Sequence, residues 1–170
     1  SRRKVFNLNK KTLRFVPQGV GYRFEVEASD YRSSEQTEGT VVEGIEDDDS
    51  REFTLPFRFP YYGSGFTKIF VNSDGNLTFE AADGSTRERS LGRLLSGVPR
   101  IAALFTDLDP SRSGSIHVLQ QADRFVVTWL GVPEYVDFGV GTRNTMQMRL
   151  LASGVLEFVY EDANSVEGVV

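Results

Sequence analysis

The sequence predicts an all-β fold, an antiparallel β-sandwich of two packed sheets in the style of a jelly roll or an immunoglobulin domain. Apolar and polar residues alternate with period two over most of the chain, which places every second side chain on one face of a strand. Turn residues separate these short runs, and a single segment has the spacing of a helix. We therefore expect one sandwich domain over residues 1–170, with at most one short helix.

The first thirty residues predict a hairpin or short meander with a turn at residues 19–21. Apolar and charged residues alternate without a break over residues 22–27, so we expect this strand to have one buried face and one solvated face. Residues 30–39 contain little that a core could bury, and they are expected to form an exposed loop.

The next segments predict an edge strand and a hairpin. Residues 52–60 include Pro56 and Pro60, which lack the N–H that a central strand donates, so this strand should lie at an edge or be interrupted. Residues 67–71 and 76–80 flank an Asp-Gly pair, Asp74 and Gly75. Such a pair between β-rich runs is a strong hairpin signal, because glycine accepts a positive φ.

The second half begins with the one predicted helix, in residues 86–97, where the leucines have helical spacing. The continuous apolar run 101–105 predicts a central strand buried on both faces. Two further hairpins follow, which pair residues 115–119 with 124–130 and residues 145–151 with 155–160. Trp129 alternates in step with Phe125 and Val127 and is expected in the core.

Composition excludes several classes of function. The 19 basic and 24 acidic residues give a formal charge of −5, which argues against nucleic-acid binding because that affinity depends on a basic surface. The chain has no Cys and a single His, His117, so disulfides, thiolate metal sites, Cys nucleophiles and paired-His zinc sites are excluded. His117 lies between Ile116 and Val118 and should point away from them, toward solvent.

The sequence contains features that bear on cellular location and on the extent of the protein. The chain contains no run of 18 apolar residues, and its basic start is not followed by the apolar stretch of a signal peptide. It ends on Val169 and Val170, in what resembles an unfinished strand. We therefore expect a piece of a longer protein with neighbouring domains, no membrane insertion, and any export signal outside the given residues.

The order of motifs carries a resemblance to a known family. The motifs are an acidic turn before Pro-Phe-Arg-Phe-Pro-Tyr-Tyr-Gly at 56–63, Ile-Phe-Val-Asn-Ser-Asp-Gly-Asn-Leu-Thr-Phe at 69–79, Arg-Ile-Ala-Ala-Leu-Phe-Thr-Asp-Leu-Asp-Pro at 100–110, Arg-Phe-Val-Val-Thr-Trp at 124–129, and the Ser153-Gly154 hairpin. Together they resemble a β-sandwich module of bacterial secreted and surface-attached multidomain proteins, and are similar to the nidogen-like extracellular region of plexin-domain-containing receptors. The resemblance covers roughly residues 43–160 and implies an extracellular, non-catalytic module for adhesion or ligand contact.

The candidate metal ligands are aspartates in two segments. Asp107 and Asp109 point the same way on an extended chain, and oxygen donors at alternating positions are typical of a calcium loop. Arg112 stands where such a loop needs Gly, so a turn begun at Asp109 is the competing interpretation. A second acidic run, with candidate ligands Asp47, Asp48 and Asp49, would join a calcium site if the fold brings it near the first, and is otherwise a solvated turn.

Aromatic residues in turn-like segments are the candidate ligand-binding residues: Tyr61, Tyr62, Phe66, Tyr135 and Phe138. Their rings could form a platform for a sugar or for a partner loop, or they could close the end of the sandwich. We expect a non-catalytic extracellular adhesion, interaction or scaffold module that binds an extracellular protein or glycan and uses no cofactor. The alternatives are a carbohydrate-binding module and a hydrolase that uses Asp107 and Asp109 as paired carboxylates.

Overall fold

The computed structural model describes residues 7–165, which leaves the predicted strand at Val169 and Val170 outside the described residues. The strands are β1 (Lys11–Gln18), β2 (Gly21–Ala28), β3 (Thr40–Val41), β4 (Ser50–Tyr61), β5 (Ser64–Asn72), β6 (Asn76–Thr78), β7 (Arg100–Ala102), β8 (Ser115–Gln121), β9 (Arg124–Pro133), β10 (Arg143–Leu151) and β11 (Leu156–Ala163). The helices are α1 (Ser33–Thr37) and α2 (Leu91–Leu94). The expectation of at most one short helix is therefore wrong, because α1 forms in the predicted loop.

The strands form two antiparallel sheets, which confirms the all-β sandwich. The seven-stranded sheet has the order β2-β1-β11-β10-β9-β8-β3, and the four-stranded sheet has the order β4-β5-β6-β7. All three predicted hairpins after residue 60 are present, as β5–β6, β8–β9 and β10–β11. The predicted edge strand is also present, since β4 is the outer strand of its sheet and its pairing shifts register between Thr54 and Phe59, around Pro56.

The core lies between the two sheets and is closed by direct hydrogen bonds across the interior. Phe125, Val127 and Trp129 are fully buried, as the alternation predicts. The Trp129 indole N–H donates to the Ser73 carbonyl at 3.1 Å, and the Tyr160 hydroxyl donates to the Ala103 carbonyl at 2.6 Å. Both bonds join the large sheet to the loops of the small one, so the aromatic polar groups are satisfied without water.

A buried ion network covers the outer face of the large sheet. Arg149 on β10 is fully buried, and its guanidinium donates to Glu35 at 2.5 Å and Glu157 at 3.2 Å. Glu35 lies in α1, which packs over β8 and β9. Residues 30–39 are mostly exposed, as the sequence predicts, but they are not a loop throughout: α1 forms within them, and Glu35 is held inward by an arginine 114 residues away.

Two strand predictions are wrong, one at the edge of each sheet. The alternating strand β2 does not have a buried face: Phe24 is 64% exposed and Val26 is 52% exposed, since the four-stranded sheet does not extend over this edge. The apolar run 101–105 is not a central strand, because β7 ends at Ala102 and lies at the edge of the small sheet. Leu104 and Phe105 are buried as loop residues.

Candidate functional site

A groove lined by aromatic residues lies at the tip of the β4–β5 hairpin, beside the β1–β2 turn. We call Tyr22, Tyr61 and Tyr62 the tyrosine cradle. Their rings border a groove of about 310 Å³ whose other walls are Pro17, Gly19, Val20, Gly21, Pro60, Gly63 and Ser153. Sequence reasoning singled out Tyr61 and Tyr62 but missed Tyr22, which joins them because β2 lies opposite the hairpin tip in the fold.

The Tyr62 ring stands nearly at right angles to the other two rings of the cradle, whereas Tyr22 and Tyr61 are tilted by 41° with centroids 6.3 Å apart. The Tyr61 and Tyr62 centroids are 4.8 Å apart with an interplanar angle of 80°, and those of Tyr22 and Tyr62 are 5.4 Å apart at 73°. These are edge-to-face contacts, which are favoured between aromatic rings. The cradle is therefore a walled cleft and does not provide the coplanar platform on which sugar rings stack.

Tyr61 and Tyr62 have different surroundings. The Tyr61 hydroxyl donates to the Arg100 carbonyl at 2.9 Å, so this ring is fixed as the floor of the cradle. Tyr62 is 64% exposed and adopts a φ of 46°, a left-handed conformation that a bulky residue rarely takes. The packing interpretation thus applies to Tyr61, whereas Tyr62 projects into solvent.

The tyrosines of the cradle lie among uncharged residues in the described part of the chain. Burial raises the pKa of Tyr61 to about 12 and also raises the pKa of Tyr22. Among the described residues that line the groove, none is an Asp, Glu, Lys or Arg. The arrangement therefore favours an uncharged ligand that offers both apolar groups and hydrogen-bonding groups.

The other predicted aromatic residues do not join the cradle. Phe66 stacks on Phe79 with centroids 4.5 Å apart, and it packs against the core. Tyr135 and Phe138 lie in the β9–β10 loop, where Phe138 is 93% exposed and the guanidinium of Arg112 covers the Tyr135 ring at 5.6 Å. The Tyr135 N–H donates to the Asp107 carbonyl at 2.8 Å, so this loop lies at the opposite end of the β4–β5 hairpin.

An acidic cluster forms at that opposite end. The fold brings together Asp47 and Asp48, before β4, and Asp107, after β7, with one carboxylate oxygen from each within 4.8 Å of the others. Oδ1 of Asp47 and Oδ1 of Asp107 are buried, and neither has a hydrogen-bond partner among the described residues. These three aspartates are the candidate metal ligands that the geometry brings into one group.

Arg89 occupies the centre of this acidic cluster. Its guanidinium contacts Asp48, lies 2.6 Å from Asp74 Oδ2 and lies 3.1 Å from Asp107 Oδ2. Arg89 is buried, so it acts as an internal cation for three carboxylates. Sequence reasoning missed both Arg89 and Asp74, since nothing in the local pattern around residue 89 indicates that it meets residues 48 and 107.

One guanidinium does not balance the cluster completely. Burial and the nearby carboxylates of Asp107, Asp109 and Asp48 raise the pKa of Asp47 to about 6. Burial raises the pKa of Asp74 to about 7, despite its hydrogen bonds from Arg89 and from the Leu108 N–H. The cluster therefore takes up a proton, or a further positive charge, more readily than isolated aspartates do.

The remaining candidate ligands are engaged in their own turns. Asp109 accepts the Ser111 N–H at 3.0 Å and the Arg112 guanidinium at 3.1 Å, which is the turn that the sequence offers as the competing interpretation. Asp49 accepts the Ser50 N–H at 2.7 Å and the Arg51 guanidinium at 2.6 Å. Of the two aspartates in the hydrolase alternative, Asp109 thus has both carboxylate oxygens bonded and Asp107 faces a guanidinium.

His117 has the orientation that the alternation predicts. Ile116 and Val118 are buried in the core, whereas His117 is half-buried on the other face of β8. Its Nε2 lies 2.8 Å from the Ser115 hydroxyl, and burial lowers its pKa. The contact joins neighbours on the same strand face, and the Gln36 backbone in α1 also bonds the ring, so His117 lies beneath α1 and not in open solvent.

Comparison with known proteins identifies the family. The family model of NIDO-related domains matches residues 21–169. The chain belongs to the NIDO-related family. The match starts at β2, so the domain extends further toward the N-terminus than the resemblance at residues 43–160, and it includes Tyr22 of the cradle. No curated protein and no solved structure matches the chain.

Membership of the NIDO-related family indicates the general location and role of the domain. NIDO-related domains are typically extracellular and serve as interaction modules. In the described part of the chain no helix has both the length and the apolar character needed to cross a membrane. The NIDO-related domain thus combines a rigid two-sheet scaffold with an exposed tyrosine cleft at one end and an acidic cluster at the other.

Proposed function

We propose that this NIDO-related domain is a non-catalytic adhesion or interaction module of a longer secreted or cell-surface bacterial protein, and that the tyrosine cradle is its contact site. One observation carries the proposal: the exposed ring of Tyr62 stands at a strained position in a hairpin turn. The sandwich serves as the scaffold that holds this ring in place.

The strain at Tyr62 is unnecessary for the fold. Tyr62 and Gly63 connect β4 and β5 as a two-residue loop with positive φ at both positions, 46° and 79°. Such turns favour Asn, Asp or Gly at the first position, and a Tyr there costs about 1–2 kcal/mol. A residue that weakens the turn while projecting an aromatic ring into solvent is typical of a position kept for binding.

The geometry favours a protein segment as the ligand. The described lining of the cleft is uncharged, and the Tyr62 ring stands nearly perpendicular to its two neighbours, so the cleft fits an extended, uncharged chain whose side chains enter between the rings. Tyrosine combines a large rigid surface with a hydroxyl and loses little conformational entropy on binding, which is why interfaces are rich in it. A glycan is the second candidate, because ring faces and hydroxyls also suit sugars.

Parallel selections against a random peptide library and a glycan array test the proposal. We expect the wild-type domain to select uncharged peptides, and the substitution Tyr62→Ser to abolish that selection. Phe138→Ser is the matched control, since it removes an even more exposed ring at the other end of the molecule and should leave the selection unchanged. Trp129 fluorescence verifies that both variants fold.

The outcomes separate the candidates. Peptides retained by Tyr62→Ser but lost by Phe138→Ser would move the contact site to the β9–β10 loop and refute the cradle. Glycans selected in place of peptides, and lost on Tyr62→Ser, would assign the domain as a carbohydrate-binding module. Selection of neither class by the wild-type domain would contradict the proposal.

A further inference from the structure

The outer strand β2 has the longest regular edge among the described strands that end a sheet. Among the described residues it pairs with β1 alone, through eight consecutive residue pairs without a bulge. The other edges of the two sheets are blunted in the described part of the chain: β3 has two residues, β7 has three, and β4 carries Pro56 and Pro60. Strand β2 has no proline, no lysine and no bulge; of the usual devices that keep an edge from pairing, it carries charged side chains alone, at Arg23, Glu25 and Glu27.

The hydrogen-bond phase identifies which backbone groups face outward. The Ser29 N–H donates to the Lys10 carbonyl at 3.0 Å, and bonded and non-bonded pairs alternate along an antiparallel ladder. Counting from that pair along the register, Arg23 and Glu25 direct their N–H and C=O groups toward β1. Tyr22, Phe24 and Val26 therefore direct theirs toward the open edge.

The side chains at this edge are apolar on one face and charged on the other. Phe24 and Val26 point to the inner face, where the small sheet does not reach, and are 64% and 52% exposed. Arg23 and Glu25 point to the outer face and form an exposed ion pair within the strand. The edge thus offers backbone groups, an apolar strip and two opposite charges to an added strand.

We propose that β2 pairs antiparallel with β2 of a second copy of this chain, in the register centred on Phe24. In this register Arg23 lies opposite Glu25 of the second copy, and Glu25 lies opposite Arg23 of the second copy. Both pairs fall at non-hydrogen-bonded positions, where the Cα atoms approach to about 4.5 Å and side chains are closest. Phe24 meets Phe24 of the second copy, and its outward N–H and C=O groups are satisfied.

Charge selects this register over its neighbours. Residues whose backbone groups face outward must pair with outward-facing residues of the second copy, so the centre of the register must lie on a residue and not between two residues. The nearest alternative centres are therefore Glu25 and Arg23. A centre at Glu25 places the two Glu25 carboxylates directly opposite each other, and a centre at Arg23 places the two guanidinium groups opposite each other. Like charges at facing positions are destabilising, so the Phe24 register is the self-complementary one.

The dimer would have a functional consequence. The two large sheets would become one continuous sheet, with both small sheets on the same side. The two Tyr22 residues would then be separated by about 14 Å along the strands, from a rise of about 3.4 Å per residue. The pairing would present two tyrosine cradles to one partner, which raises avidity without any new contact.

Sedimentation velocity over a concentration series tests the pairing. We expect the wild-type chain to form a concentration-dependent dimer, and Arg23→Glu and Glu25→Arg each to weaken it at least about tenfold, because each places like charges at both facing positions. An equimolar mixture of the two variants should recover the dimer, since every facing pair is again opposite in charge. Lys68→Glu, which breaks the exposed ion pair of Lys68 on β5 with Glu52 on β4, is the matched control and should dimerise like the wild type.

Other results would overturn the proposal. A wild-type chain that stays monomeric at every concentration excludes the dimer. Variants that dimerise alone as well as they do in the mixture exclude this register. A chain that begins at Asn7 and no longer dimerises would assign the contact to residues 1–6 in place of β2. None of these results depends on the cradle, so the dimer and the proposed binding function fail separately.

Discussion

Arg149 should be one of the residues most important for the stability of this domain. Its guanidinium makes five hydrogen bonds in a fully buried position, to Glu35 at 2.5 Å, to the Asp30 carbonyl at 2.6 Å and carboxylate at 3.3 Å, to Gln147 at 3.1 Å and to Glu157 at 3.2 Å. Arg149→Met keeps an unbranched side chain, although a shorter one, and removes the charge. Glu35 and Glu157 would then remain as buried carboxylates without their shared partner.

The structure sets the size of the effect. Breaking a buried ion pair by removing one partner costs about 3–5 kcal/mol. Arg124 still reaches Glu35 at 3.0 Å, and Arg14 still contacts Glu157, so neither carboxylate is left entirely alone. We therefore expect Arg149→Met to lower the free energy of unfolding by about 3 kcal/mol, which corresponds to a fall in Tm of roughly 6–12 °C for a domain of this length.

Urea unfolding followed by fluorescence measures this directly, because Trp129 is the single tryptophan and is fully buried. Arg124→Met is the control: its side chain is partly exposed, so its loss should cost less than about 1 kcal/mol. Adding Glu35→Gln to Arg149→Met should recover part of the loss, because it removes a charge left uncompensated. A cost below about 1 kcal/mol for Arg149→Met would refute the reasoning.

Three further predictions concern the end of the molecule that holds the acidic cluster. The pKa values of Asp47 and Asp74 are raised from 3.8 to about 6 and about 7 in the folded state. Ionisation of these groups therefore costs free energy of folding, and this cost grows as pH rises toward the raised values. The free energy of unfolding should therefore rise as pH falls from 8 to about 5, and Asp47→Asn should reduce that rise; a steady fall over this range would contradict it. The metal hypothesis predicts that calcium raises Tm at pH 8 in the wild type but not in Asp107→Asn, and an unchanged Tm in the wild type refutes it. Gly75→Ala should cost about 3 kcal/mol, because Gly75 has a φ of 73° and a Cβ there would lie 2.2 Å from the Leu104 carbonyl oxygen; Gly19→Ala, with positive φ but open space, should cost about 1 kcal/mol in the same urea assay.

Much of the fold was predictable because it is encoded locally. The Asp74-Gly75 pair, the alternation around Trp129 and the prolines of β4 each specify a turn, a buried face or an edge within a few residues. These are the features for which periodicity and turn chemistry are sufficient. They were enough to predict two packed antiparallel sheets.

The errors come from interactions between distant residues. Alternation in β2 indicates an apolar face, but it does not tell whether the opposing sheet is wide enough to cover Phe24. Glu35 is typical of a solvated loop until Arg149 is brought over it by the pairing of β10 with its neighbours. The apolar run that ends at Phe105 reflects a loop packed beneath the guanidinium of Arg100, which lies 4.8 Å from its ring.

The sequence predicts the types of residue in the candidate sites, but it does not predict which of these residues come together in space. Tyr62 and Asp107 were recognisable as exposed-type aromatic and acidic turn residues. The contact of Tyr22 with Tyr62 and the insertion of Arg89 between Asp48 and Asp107 depend on the packing of the two sheets. A single sequence holds no pattern that specifies such contacts.

Calorimetric titration of the peptide selected by the wild-type domain tests the central claim most directly. The account predicts that Tyr62→Ala weakens the affinity at least about tenfold, as expected for a buried aromatic anchor of an interface. It also predicts that Phe138→Ala leaves the affinity unchanged and that mass spectrometry recovers the peptide unaltered after incubation. An unchanged affinity in Tyr62→Ala, or a peptide converted to a product, would contradict a binding module that acts through the tyrosine cradle.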